Sequence, residues 1–462
     1  MADTDVLVVG GGITGLTVAY ALARRGRRTL VLEAASRAGG LIRTERADGF
    51  TIEAGPDALL ATKPAGVDLV RELGLDRDLL RVRTPGAFVL RGDRLHRLPS
   101  PSRLGLPLTA SALAAYDLFD WPARLRLSLE PRVPARRSPS DESVASFFRR
   151  RFGPETVDLL AQPLLGGIHA GDIEQLSMQS LFPQLLELER RHGSVLPVFG
   201  QQGRSPVESP PGPGPSPFVS LRAGMGSMVE ALVRALPDGG VHVDARVDAI
   251  AKTSDGWRVM ANGEAVTATA LVLAAPAHAV ARLIAPLDSA AADLCALVPY
   301  VSTASVALAW PRRNVGHALD GTGFVVARRH SDVRITAATW VSAKWEARAP
   351  DGAVLIRAFL GGSHDPQAVD LDDDELIDVV RRDLRRVMAI DAAPSFARVY
   401  RWRHGGAQHT VDHLQRVGEI EARLGGLGGI YVAGAGFRSV GIPDCVNEAR
   451  RVVEELTGGS GR

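Results

Sequence analysis

The chain has 462 residues, 45% of them hydrophobic and 23% charged, with a formal net charge of +2. That length exceeds one ordinary core and suits two or three domains, and the composition is that of a soluble globular protein. A balance so near neutrality supplies no field that would draw nucleic acid. The two cysteines, Cys295 and Cys445, form no CxxC and have no histidine at ligand spacing. A disulfide framework and a metal site are therefore not expected, and a reducing cytoplasm fits. Residues 1–5 are acidic where a signal peptide would be basic. No run reaches the roughly 18–20 apolar residues that a bilayer span requires; residues 271–286 come nearest, but His278 and Arg282 interrupt them. No transmembrane segment is expected.

In chain order, residues 5–9 read as a short apolar strand and residues 10–15 as a turn. Ile13, Leu16, Ala19, Tyr20 and Ala23 then recur at helical spacing. Residues 28–33 make a second strand ending in an acid, which completes a βαβ unit. Residues 138–153 and 154–165 read as helices, the first capped by Ser140. Residues 200–217 carry Pro206, Pro210, Pro211, Pro213, Pro215 and Pro217 and read as a flexible surface loop. After a helix at 227–236 come strands at 241–243, 247–251, 257–261 and 270–274, the last of them buried in a parallel sheet. Residues 300–398 alternate strands with one helix, at 374–388. The chain closes with a strand at 429–433, a turn at 434–441 and a helix at 443–456. The fold class is α/β.

Gly10, Gly12 and Gly15 have the spacing of a dinucleotide cradle: a tight turn, a close backbone approach to pyrophosphate, and close packing of helix on strand. Backbone N–H groups at the helix start would meet the phosphate charge, and Glu33 stands where a ribose-binding acid belongs. The following run, Glu33-Ala34-Ala35-Ser36-Arg37-Ala38-Gly39-Gly40, resembles the extended motif of the large flavin oxidase superfamily. That resemblance favours FAD over NAD and implies that Arg37, Gly39 and Gly40 line the pyrophosphate and ribityl chain. Gly55-Pro56-Asp57 resembles the next flavin-facing segment of the same superfamily. At the other end of the chain, Gly434 follows a strand and Gly441-Ile442 precedes Pro443, a good first helical residue. A helix starting there would aim its positive end at the flavin pyrimidine. Cys445, inside that helix, reads as a small buried residue.

Several segments, in order, resemble the soluble bacterial porphyrinogen oxidases, above all the coproporphyrinogen III oxidase type. They are 55–60, 147–153, 162–172 (Gln-Pro-Leu-Leu-Gly-Gly-Ile-His-Ala-Gly-Asp), 321–324, Arg401-Trp402 and 440–445 (Val-Gly-Ile-Pro-Asp-Cys). The resemblance implies an FAD-binding Rossmann-like domain of the amine-oxidase type, discontinuous over 1–60, 221–285 and 399–462. It further implies an antiparallel-sheet substrate domain over 61–95 and 286–398, and a helical subdomain over 96–220. Ile13, Thr14, Ala34, Leu41, Val247, Trp402 and Val440 join the implied cofactor contacts. Gly167 is the position implied to lie against the reacting macrocycle, with Gly166, Ile168 and His169 beside it.

The implied activity is removal of six electrons from a porphyrinogen in haem biosynthesis, with O2 as acceptor and H2O2 as by-product. Lys63 is the candidate anchor for a substrate propionate, and Phe324 a candidate for stacking on the ring. A peripheral membrane contact and a ferrochelatase partner are compatible with the resemblance. The chain departs from the family's pattern in three places: His169 where an aromatic is usual, His409 where tyrosine is common, and Ser439 in place of a glycine. Serine at 439 would be strained if that position needed φ > 0. Two alternatives stay open, namely another amine-oxidase-fold oxidase or desaturase, and a flavoprotein of low activity that carries porphyrin.

Overall fold

The computed structural model describes residues 4–196 and 216–458. The expected flexible loop at 200–217 lies, but for its last two residues, outside them. The chain divides into two compact units, Met1–Leu80 with Pro217–Pro299 and His413–Arg462, and Arg81–Ser216 with Tyr300–Asp412.

The first unit is built on parallel strands. Thr4–Val9 pairs in parallel with Thr29–Leu32 on one side and with Glu264–Leu273 on the other. Glu264–Leu273 does two jobs. Its first half pairs antiparallel with Gly256–Ala261, while Leu271, Val272 and Leu273 pair in parallel with Ile430–Val432. Val6, Leu7, Val8, Leu271, Val272 and Leu273 are each no more than 1% exposed, because helices cover the sheet, and this burial is why these strands read as unbroken apolar runs. The helices Ile13–Ala23, Pro64–Glu72, Gly226–Arg234 and Ile442–Gly458 contribute Leu16, Leu69, Met228 and Val453 to the same core. The sequence's first and last strand–helix pairs therefore share one sheet and one core.

In the second unit Tyr300–Pro311 lies antiparallel between Ala353–Gly361 and Phe396–Ala407. The sheet continues through Ala337–Trp340 and Gly323–Val326, which runs parallel to Phe88–Arg91, and then to Arg94–Arg97. The helix Asp373–Met388, opened by a capping box of Asp372 and Glu375, supplies Leu376, Val380 and Leu384 to the core of this sheet.

Three expectations are corrected here. The helix expected from residue 138 begins at Val144, capped by Ser143, whose hydroxyl accepts the Ser146 N–H at 3.1 Å. Upstream, the Asp141 carboxylate accepts from Ser177 Oγ and from the Gln179 N–H, so side-chain bonds displace the helical ladder. Residues 399–407, expected in the FAD domain, pair along most of their length with Tyr300–Pro311 and belong to the second unit. Residues 61–80, expected in the substrate domain, carry Val67, Leu69 and Val70 into the core of the first.

The helical part of the second unit has a charged centre. Arg151 is fully buried and pairs with Glu130, itself 0% exposed, and with Glu189 at 3.3 Å. Glu130 also accepts from Ser194 Oγ at 2.6 Å and the Val195 N–H at 3.1 Å. Removing one member strands a buried charge. Arg151→Met is expected to cost about 3–5 kcal/mol of stability, measured as a lowered urea midpoint. A loss below about 1 kcal/mol would show that the network relaxes around the gap.

Candidate active site

The site is assembled on the carboxyl ends of the parallel strands. Gly10 leaves the first strand with φ +108°, and a Cβ there would lie 2.6 Å from the Ala274 carbonyl oxygen on the neighbouring strand. A Cβ at Gly15 would lie 2.0 Å from the Gly10 oxygen, so only glycine lets helix and turn meet this closely. A Cβ at Gly12, by contrast, would meet nothing within 4 Å. The cradle is closed beneath and open above, which is the shape a pyrophosphate requires.

Glu33 stands where the sequence placed it. Its two carboxylate oxygens accept the Gly11 N–H at 2.6 Å and the Ala35 N–H at 2.8 Å, leaving lone pairs for a ribose hydroxyl. Gly39 N–H donates to the Gly11 oxygen at 2.7 Å, which folds the 34–41 segment back over the glycine turn. Arg37 locks that fold by donating to the oxygens of Ala38, Gly40 and Ile42. Ala34 and Gly40 are exposed, and so is Leu41, at 41%. Gly55, Pro56 and Asp57 are half-buried, and the Asp57 oxygen accepts from Ser220 Oγ at 2.7 Å. Val247 opens the strand Val247–Thr253, just beyond the segment where Asp244 and Ala245 donate to the oxygens of Ala35 and Glu33.

The C-terminal turn reaches the same place. Gly434 follows Ile430–Val432, and a Cβ on it would lie 3.7 Å from Thr14 Oγ1. From there residues 434–441 lead into Ile442–Gly458, so Val440, Gly441 and Ile442 sit at a helix N-terminus in the same unit as Gly10, Gly12, Ile13 and Thr14. His413 Nε2 and the Phe437 oxygen are 2.6 Å apart, and Arg438 pairs with Glu421. Trp402 is on a strand of the second unit, opposite Thr303.

Ser439 is a correction. Its φ is not positive, and it is fully buried with its hydroxyl donated to Glu448 Oε2. The position takes a serine without backbone strain because its φ is not positive, and the buried hydroxyl is satisfied by its acceptor. Glu448 also takes the Gly434 N–H at 2.8 Å. Burial raises its carboxyl above the usual range, against the lowering effect of the Ser439 and Gly434 hydrogen bonds. Cys445 is buried and free of any disulfide, and burial pushes its thiol up to about 11. Among the described residues no cluster could hold a metal ion.

The second unit holds the other candidate group. Val157–Gly166 is a π-helix with Pro163 inside it, a form found often at functional sites. It runs into Gly167–His169 and an αL residue, Ala170. Gln162 Nε2 donates to the Gly171 oxygen at 2.9 Å, and its Oε1 accepts the Ile173 N–H at 3.1 Å. Buried Gln408 donates to the His169 oxygen at 2.9 Å, and Ser363 N–H to the Ala170 oxygen at 2.9 Å. Thus Gly166 is buried and held, while Gly167 and Ile168 are displayed, Ile168 at 68% exposure. His169 is half-buried with its ring edge-on to Phe182. His409 is buried with Nδ1 2.6 Å from Ser180 Oγ. Phe324 is a correction: at 2% exposure it packs edge-on to Trp340 in the core and offers no face for stacking.

Lys63 is engaged. Its Nζ lies 2.8 Å from both carboxylate oxygens of Asp444, in the first turn of the last helix, while 41% of its side chain stays exposed. Sequence reasoning missed Glu448 and the two glutamine clamps. Glu448 left a signal, an acid set among Val446, Ala449, Val452 and Val453 on the buried side of an amphipathic helix.

Comparison with known proteins gives the cradle its context. Residues 13–457 match the family model described as flavin containing amine oxidoreductase. The coproporphyrinogen III oxidase of Bacillus subtilis (strain 168) is 35% identical over 97% of both chains. The chloroplastic protoporphyrinogen oxidase of Nicotiana tabacum is 28% identical over 99% of this chain and 86% of its own. Among solved structures, a protein from Exiguobacterium sp. 255-15 provisionally named a protoporphyrinogen oxidase superposes with a TM-score of 0.87, at 30% identity over 99% of this chain and all of that one. A reduced UDP-galactopyranose mutase, 17% identical, shares the fold with a TM-score of 0.74 over 100% of this chain and 95% of its own.

The raised Glu448 carboxyl fixes a sign. A folded-state pKa above the unfolded one contributes stability that is fully present below the unfolded value and is lost as pH rises through the folded one. Glu448→Gln, which keeps an acceptor for both donors, is therefore expected to gain in melting temperature relative to the native chain as pH rises from about 4.5 to 8. A gap that does not change with pH would mean the carboxyl is not raised.

The family model, the full-length relatives and a cradle shaped for an adenine dinucleotide agree: the chain belongs to the flavin containing amine oxidoreductases, on their porphyrinogen oxidase branch, with FAD as its cofactor.

Proposed function

We propose that this enzyme oxidises a porphyrinogen to the porphyrin in haem biosynthesis, with coproporphyrinogen III as the preferred substrate and O2 as the final acceptor. The observation that carries the reading is the 35% identity, over 97% of both chains, to a coproporphyrinogen III oxidase. Two further coproporphyrinogen III oxidases, from Staphylococcus aureus and Propionibacterium freudenreichii, are 32% and 33% identical over 98% of this chain. The plant protoporphyrinogen oxidases fall to 28% and 29%, which supports the copro substrate.

FAD, when bound, would supply two-electron chemistry, taking a hydride from the macrocycle and passing the pair to O2 as H2O2. The chain's own residues do the rest. Gly10 to Gly15 and Glu33 hold the dinucleotide. The N-terminus of Ile442–Gly458 would offer its positive end to the flavin. Gly167 and Ile168, displayed by the Gln162 and Gln408 clamps, would form a fixed rim for the macrocycle. Each hydride lost is matched by one macrocycle N–H proton, and hydride, proton and O2 together make up one H2O2, so the balance needs no protein base. A cytoplasmic location and transfer of product to a ferrochelatase belong to the same reading. Among the described residues no helix is long and apolar enough to cross a membrane.

The testing experiment is an aerobic fluorescence assay of purified protein with coproporphyrinogen III and protoporphyrinogen IX side by side, H2O2 being followed in parallel. Coproporphyrin is expected to form faster than autoxidation allows, with about three peroxides per porphyrin, as removal of six electrons in pairs demands. A yellow, FAD-loaded protein that oxidises neither compound would remove the activity.

Lys63 gives a second test. An exposed ion pair is worth at most about 1 kcal/mol, so Lys63→Met is expected to leave the melting temperature nearly unchanged. If its ammonium binds a propionate, KM for coproporphyrinogen III rises about tenfold with kcat little altered. An unchanged KM would leave Lys63 only the role of partner to Asp444.

A further inference from the structure

We propose that Glu448 is a positioning residue of the FAD site, holding Gly434 and Ser439 of the 434–441 turn in the shape that receives the cofactor. The inference rests on the reading that this turn caps the flavin. Three observations carry it.

The first is the side chain's place. Glu448 is 5% exposed in a helix whose neighbouring buried positions, Val446, Ala449, Val452 and Val453, are at most 1% exposed. An apolar side chain would satisfy the packing there, whereas a buried carboxyl is costly unless it is hydrogen-bonded.

The second is what the carboxyl holds. One oxygen, Oε2, accepts both the Gly434 N–H at 2.8 Å and the Ser439 hydroxyl. Those residues stand five apart in the turn, so a single atom ties its start to its end. The turn's middle is fixed separately, by His413 Nε2 against the Phe437 oxygen at 2.6 Å and by Arg438 on Glu421.

The third is the link to the glycine cradle. Thr14, in the first turn of the helix Ile13–Ala23, has its Oγ1 3.7 Å from the position of a Gly434 Cβ. The turn and the last helix thus form one hydrogen-bonded cluster around Glu448, set against the start of the first helix. The charged and titratable groups that face it are Arg451, 3.8 Å from Oε1, Glu421, which Arg451 and Arg438 share, and Cys445. Oε1 itself makes no hydrogen bond, so Oε2 alone carries the hold on the turn.

A turn held in its bound shape spares the cofactor the entropy of ordering it, which shows as affinity. Loss of the carboxyl leaves two donors unpaired and frees the turn, and FAD binding then has to order it.

The test measures the FAD dissociation constant of apoprotein by quenching of flavin fluorescence, with the visible flavin bands recorded in the complex. Far-UV circular dichroism checks that each variant is folded. Glu448→Leu is expected to weaken binding about tenfold or more and to alter the resolution of the flavin bands. Glu448→Gln, which still accepts both hydrogen bonds, is expected to stay within about threefold of the native chain. Ser439→Ala removes one of the two bonds and is expected to fall between them.

A folded Glu448→Leu protein with native affinity overturns the proposal. Should Glu448→Leu not fold, an unchanged affinity in Ser439→Ala overturns it instead. Gly441→Val separates the two layers of the argument. If that variant binds FAD as the native chain does, the capping role of the turn fails and takes the proposal with it. If it weakens binding while Glu448→Leu does not, only the role of Glu448 fails.

Discussion

The architecture of the first unit depends on one steric constraint, the approach of backbone to backbone at Gly10 and Gly15. A Cβ at Gly15, 2.0 Å from the Gly10 oxygen, would force the first helix off the turn, and one at Gly10, 2.6 Å from the Ala274 oxygen, would push the first strand from its neighbour. Because helix and strand touch there, the N–H groups of the helix start stay close to the strand ends, where a phosphate can reach them. The same closeness lets Ala274 and Gly434 come in from the neighbouring strands. Everything else in the cofactor site is arranged around this contact, including Glu33, the Arg37 lock and the last helix.

The two units achieve precision by different means. In the first, parallel strands buried on both faces bring their carboxyl ends to one level, and glycines remove the bulk that would keep them apart. In the second, an irregular loop is held by side chains. Gln162 and Gln408 satisfy backbone groups that a π-helix ending in αL leaves open, and the consequence is a fixed, exposed Ile168.

Buried polar groups mark the places where local rules are broken. Arg151 with Glu130 stabilises the helical part only as a pair, and either member alone would be a liability. Glu448 sits among buried valines and alanine on the last helix, and it holds the ends of the 434–441 turn. The three residues that depart from the family's pattern have separate structural accounts. Ser439 gains a buried acceptor, His409 a half-buried hydroxyl partner in Ser180, and His169 a ring contact with Phe182.

By itself the sequence determined the βαβ start, the parallel burial of residues 270–274, the glycine cradle with Glu33, and the helix that follows Gly441. Each of these is written in residues close along the chain, as glycine spacing, apolar periodicity or a proline at a helix start. It also carried the resemblance that points to FAD and a porphyrinogen. Only the tertiary structure decided that Phe324 is core, that Trp402 belongs to the second sheet, that Lys63 is paired with Asp444, and that Glu448 ties Gly434 to Ser439. Those facts hang on partners far away in sequence: Lys63 and Asp444 are 381 residues apart, Gln408 and His169 are 239. A side chain's type tells what bonds it can make, but which bond it makes depends on what the fold brings within about 3 Å of it.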